Sequence, residues 1–191
     1  MINKKIARIL FFVLLLITYL NTYSQKEEHK RWSIKTLSDK DTSLINFKNV
    51  INSSVHELTN VKRPAGKFTK RVATETIVYS LDCYVVGFRK ETDKDIHVII
   101  KDLKTGETMI AEIVSPKVPA VKHTSRHKQY KKLRKWFVDN IGNPTYTFKI
   151  LKNPKLVTIS GVGFWDAEHD QRGMASNGRE IHPVLSMKFK Q

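Results

Sequence analysis

From 75 to 89 apolar residues alternate with polar ones. Ile77, Tyr79, Leu81, Cys83 and Val85 keep the period of a strand with one buried face. Gly87, near the end of this run, predicts a bulge or a sharp bend. Two shorter strand-like runs follow at 96–101 and 108–114, with turns at 91–95 and 102–106, and Pro116 and Pro119 end the meander. The period then changes. Tyr130, Leu133, Phe137 and Ile141 repeat at helical spacing over 126–141, with Ser125 as N-cap and Gly142 and Pro144 closing the far end. Three more runs read as strands: a short one at 145–150, then 156–165 and 180–189. Upstream, Leu44, Phe47, Ile51, Val55 and Leu58 fall at helical spacing and predict a packing helix, broken at 62–66.

The order β-β-β-α-β-β, led by a long bent strand, is that of an OB-type five-stranded Greek-key barrel. The expected class is therefore mainly β with one or two helices (α+β). A different small mixed sheet is the alternative. Barrels of this type bind across strands two and three and with the loops joining strands one–two and four–five. On that map 166–179 is the four–five loop. The OB-like domain spans 74–191, behind a 26–73 lead-in whose first part, 26–42, is polar and charged.

The N-terminus changes the picture. Lys4, Lys5 and Arg8 precede an apolar core from Ile9 to Leu20, and 21–25 is a polar exit. This reads as a secretory signal peptide over 1–25, cleaved near Ser24 or Gln25, and places the protein outside the cell or in the periplasm. The apolar run is short for a membrane span, which needs about 20 residues. No later segment is long and apolar enough to span, and no cysteine stands near the cleavage region for a lipid anchor. Cleavage removes three cations and no acids, so the net charge falls from +16 to +13. A chain this basic is drawn to polyanions, nucleic acid or anionic glycan among them, although general solubility accounts for the same charge. The one cysteine, Cys83, excludes an internal disulfide and lies on the apolar side of its strand, which points to an inert buried thiol.

The loop after 165 holds the densest chemistry. Asp166, His169, Glu180 and His182 would meet if 156–165 and 180–189 pair, because Glu180 and His182 share a strand face. Asp166, His169 and His182 are candidate ligands of a divalent metal ion, and His169, His182 and Glu180 candidate catalytic groups. His97 and Glu112 on the middle strands complete such a site. The spacing matches no standard metal motif, and a hydrogen-bonded loop with glycines at positive φ explains the same residues. Gln171, Asn177 and Trp165 line the loop as ligand-binding candidates. His169, Asn177 and His182 also spell a His-Asn-His nuclease, but that unit carries its last His on a helix, and here Pro183 follows in a strand.

A second group is basic. Between Lys117 and Val138 there are eight Lys or Arg and no acid, and Lys128, Lys131, Lys132 and Lys135 share the outer helix face. A phosphate-rich ligand bound there would weaken steeply with salt; a solvated helix face is the plain alternative. Tyr84, Phe88 and Trp165 are candidate stacking aromatics, or core. No Gly-rich phosphate loop, Gly-x-Ser-x-Gly or redox cysteine pair occurs, which argues against nucleotide-dependent transfer, serine hydrolysis and thiol redox chemistry.

The series Gly161, Gly163, Phe164, Trp165, Asp166, His169, Gln171, Gly173, Asn177, Glu180, His182, Pro183 and Val184 resembles a motif of uncharacterised secreted bacterial proteins. The resemblance reaches back through 109–113, 95–100 and Arg63-Pro64, over about 55–189 in all. It implies a shared fold and site, without a reaction. Staphylococcal nuclease shares the element order, but its set of carboxylates and arginines is not found here. Three functions fit: a secreted OB-like module binding a polyanion or extracellular polymer through 166–179 and adjacent basic surface; a metal-dependent hydrolase, phosphodiesterase- or nuclease-like, using the Asp/His/Glu cluster; or a structural accessory protein of the envelope. The oligomeric state is open.

Overall fold

The computed structural model describes residues 11–15, 31–66, 68–122, 124–167 and 171–191. The signal-peptide expectation falls outside them except for 11–15, and so does His169. Six strands are described: β1 (Val50–Ser53), β2 (Val78–Lys90), β3 (Ile96–Lys101), β4 (Thr108–Ile113), β5 (Lys149–Trp165) and β6 (Arg179–Phe189). Three helices are labelled, α1 (Val55–Thr59), α2 (Pro119–Lys122) and α3 (His127–Asn140), and 31–36 is helical as well. The fold is α+β, mostly sheet with few helices. Strand order is β1-β2-β3-β4-β6-β5, and β2 pairs with β5 as well, so the ladder returns to β2. β1–β2 and β4–β6 are parallel; the other pairs are antiparallel. Among the described residues no helix is long and apolar enough to cross a membrane.

Alternation along the strands builds the core. Leu81, Cys83 and Val85 of β2 meet Ile96, Val98 and Ile100 of β3, Met109, Ala111 and Ile113 of β4, Val157 and Ile159 of β5, and Ile181 and Val184 of β6. Cys83 is fully buried, and burial pushes its thiol far up, so it stays inert. The expected bulge is present: the register of β2 shifts between Val85 and Gly87 on both of its neighbours. The shift reverses parity. Of the two readings open for Phe88, stacking surface or core, the structure takes the second: Phe88 enters the core and meets Phe137 of α3 edge-on at 5.1 Å. Opposite the bulge, pairing to β2 skips 151–154. Pro154, which has no N–H to donate, sits in that gap; β5 runs through it and joins 149–150 of the expected short strand to 156–165, while 145–148 stay outside the strand.

The helix expected over Leu44–Leu58 does not form. A 3-10 turn (Lys40–Leu44), β1 and α1 divide the segment. Ser54 decides the division, because its hydroxyl accepts from the Glu57 N–H while the Glu57 carboxylate accepts from the Ser54 N–H, a capping box that starts α1 there. The lead-in is packed rather than loose over its described part. Residues 31–36 are helical, and Ile34, Leu37 and Ile45 are buried. Arg71 holds this layer down, donating twice to Asp39 at 3.1 and 2.6 Å and to the Ile34 carbonyl at 3.0 Å. Leu37 and Ile45 belong to a second apolar cluster with Val78, Val114, Tyr130, Val162 and Leu185, on the other side of the sheet from the main core.

Candidate functional site

Between the sheet and this N-terminal layer lies a row of ionisable groups. His97 and Glu112 are register partners across β3–β4. The parallel register that pairs Ala111 with Ile181 sets Glu112 level with His182 on β6. Their strand neighbours face the core, so alternation sends all three to the opposite face. Glu180 joins them, two residues before His182. Phe164 covers His182, ring centroids 5.6 Å apart, and Lys35 reaches in from the 31–36 helix, its Nζ 3.3 Å from Asp166 Oδ1.

The expected meeting of Glu180 and His182 is seen: His182 Nδ1 lies 3.8 Å from Glu180 Oε2. Asp95, read as part of a turn, stands on the ring's other side, with Oδ2 3.6 Å from His182 Nε2. Both distances exceed a hydrogen bond. Both ring nitrogens, Glu180 Oε2 and Asp95 Oδ2 are buried without a hydrogen-bond partner. The other Asp95 oxygen accepts the Ser115 N–H at 2.6 Å. Burial pushes the Glu180 carboxyl up to about 7 and Asp95 to about 6, and holds Glu112 well above the usual carboxylate range. Burial likewise holds His182 and His97 below the ordinary histidine value. Burial also works against the Lys35 ammonium, but Asp166, Glu180 and Glu112 outweigh it and raise its pKa.

His97 has firmer partners. Its Nε2 lies 3.0 Å from the Arg172 carbonyl. Its Nδ1 lies 3.2 Å from Glu112 and 3.4 Å from Glu91. Gly173 makes the carbonyl contact possible. At φ +85° it presses the loop onto β3, where an added Cβ would stand 2.5 Å from Ile99. Glu91, His97 and Glu112 offer ligand atoms all within 4.8 Å of one another. The expected metal set was different: Asp166 is paired with Lys35, and His169 is outside the described residues.

Trp165, at the end of β5, and Asn177, in the loop that follows, are both held by protein partners. Trp165 is 1% exposed. Its Nε1 donates to Thr74 at 2.9 Å, and the Arg179 guanidinium lies over its ring at 4.6 Å. Asn177 donates to the carbonyls of Leu58 and Val61 and accepts the Arg179 N–H, clamping the loop to α1. Gln171 is half-buried beside this loop.

The basic group lies elsewhere. Lys128, Lys131, Lys132 and Lys135 are exposed on α3. Beside them an open groove is lined by Lys117, Lys122, His127, Lys131, Arg134 and Lys135, with Asp139 its one acid. Arg134 is fixed by donating to the carbonyls of Ile113 (3.2 Å) and Lys94 (2.6 Å), while Lys135 pairs with Asp139 at 2.8 Å.

No protein-family model matches the chain, and no curated protein does. Among solved structures it is similar to "OBody AM3L09 bound to hen egg-white lysozyme", at 16% identity over 61% of this chain and 83% of that one, with a TM-score of 0.38.

Proposed function

We propose that the chain is an exported OB-like module that binds a polyanion through the α3 groove. The pairing circuit β2-β3-β4-β6-β5-β2, the parallel β4–β6 pair and α3 between β4 and β5 support the barrel reading. The observation that carries the function is the groove itself, with Lys117, Lys122, His127, Lys131, Arg134 and Lys135 around one acid. Exposed cations at close spacing neutralise successive anionic groups of a polymer. Asn177 of the 166–179 loop and Trp165 beside it are engaged by protein partners, which puts the exposed α3 cations first as ligand contacts.

The test is fluorescence anisotropy with two labelled probes, a single-stranded oligonucleotide and a sulfated glycan fragment. The wild type should bind at least one of them at low salt, and Lys131→Glu/Lys135→Glu should bind it at least about tenfold more weakly. Equal binding by the two proteins would remove the groove from the account. Binding of neither probe would favour the structural reading.

The hydrolase reading draws on His182, buried between Asp95 and Glu180 with both ring nitrogens unpartnered. Such a set can move protons. At 2% exposure, however, His182 meets a substrate only if the N-terminal layer moves. Turnover of a nitrophenyl phosphodiester, lost in His182→Ala while the fold survives, would establish it.

A further inference from the structure

We propose that Glu91, His97 and Glu112 form a binding site for a divalent transition-metal ion of the zinc type, at the β3–β4 end of the buried row. The tautomer of His97 is the starting point. A backbone carbonyl only accepts, so the contact with Arg172 places the ring proton on Nε2. The Nδ1 lone pair then points at two carboxylates, 3.2 and 3.4 Å away, and acceptors that close need a proton or a cation between them. Nδ1 and Glu112 Oε2 are both buried and have no hydrogen-bond partner, and the His97 side chain is 1% exposed.

The spacing fits the ion. Zinc bonds of about 2.0–2.2 Å put neighbouring ligand atoms of a tetrahedron about 3.3–3.6 Å apart. Both Nδ1–carboxylate separations lie close to that edge, and the half-buried Glu91 carboxylate can turn to close the third. One nitrogen and two carboxylate oxygens suit zinc or a neighbouring first-row ion better than calcium or magnesium, which take oxygen alone. Three protein ligands leave a fourth position for water or a ligand atom.

The surroundings have the form of a metal site's outer layer. A ligating histidine almost always donates its other N–H to a carbonyl or carboxylate, as His97 does to Arg172. Phe148 packs edge-on to the His97 ring at 6.0 Å, and Arg89 orients Glu91 through a 2.7 Å hydrogen bond. Arg89 is the nearest competing charge, paired with the same Glu91 oxygen that faces His97, while Lys35 is held toward Asp166 at the other end of the row. The site is independent of the polyanion reading and does not overlap the α3 groove.

The experiment is calorimetric titration of the metal-stripped full chain with zinc chloride, repeated on Glu112→Gln and Glu91→Gln. The expected result is one zinc per folded chain, with affinity reduced at least about 100-fold in Glu112→Gln, since outer partners alone are worth 10–100-fold. Glu91 is partly exposed at a strand end, so Glu91→Gln keeps the fold even if Glu112→Gln does not, and it should lose at least about tenfold. Absence of stoichiometric zinc on the folded wild type would overturn the proposal. So would zinc bound equally well by Glu91→Gln, which would assign the metal to surface histidines.

Discussion

The α3 groove and the β3–β4–β6 row are both built from charged residues, and they obey opposite rules. The lysines of α3 stand in water, so their charge has a small solvation cost and acts on a partner at a distance through salt-screened attraction. Glu112, Glu180, Asp95, His97 and His182 are under apolar cover. Their protonation is set by burial, and each buried polar atom left unpaired costs about 1–3 kcal/mol. The groove is therefore a surface for recruiting something large and mobile. The row is a place where a proton or a small cation has to be accommodated. Net charge reports on the first and is silent about the second.

The largest effect separating the two regions should come from Phe164→Ala. Phe164 covers His182 and lies under Arg31, its ring 4.5 Å from the guanidinium. Removing it should cost about 3–5 kcal/mol in urea unfolding, and a loss under about 1 kcal/mol would mean that this ring does not seal the row. Next comes pH. Glu180 has a folded pKa of about 7 against an ordinary 4.5, so folding takes up its proton between those values. The stability it contributes is complete below about pH 4.5 and is lost as pH rises through about 7, a swing on the order of 3 kcal/mol. His182, held below its ordinary value, acts in the opposite sense toward acid. Wild-type stability should therefore fall relative to Glu180→Gln as pH rises across that window, and parallel curves would show that burial does not control Glu180. Smallest is Lys128→Ala, an exposed position, where the melting temperature should report a change within about 0.5 kcal/mol. A larger change would mean that α3 lysines also hold the fold together.

Much of the frame was legible because period and punctuation agree. The β3 run was read to the residue, and α3 to within one residue at each end. The failures have local causes. Leu44–Leu58 has helical spacing, but Ser54 and Glu57 start the helix late. Phe88 was left between stacking surface and core although its bulge was foreseen, because a bulge reverses every later side chain and alternation alone does not count it. In the site, His97 and Glu112 were named only as middle-strand residues and are joined by cross-strand register, while Glu180 and His182 were legible together by alternation. Asp95 lies two residues before His97, and the same rule would have included it had 91–95 not been read as a turn alone. Lys35 carried no signal, since its place in the row depends on how the N-terminal layer folds back over the sheet. Trp165 and Asn177 looked like ligand contacts because binding loops and clamped loops draw on the same residue types.

The most direct test of the central claim is the salt dependence of polyanion binding, measured for the wild type and for Lys131→Glu/Lys135→Glu on a single-stranded oligonucleotide. If about four groove cations each displace a counterion, log affinity should fall with log salt at a slope of about −3, and the double variant should show roughly half that slope. A slope near zero, or one that the substitutions leave unchanged, would contradict the account.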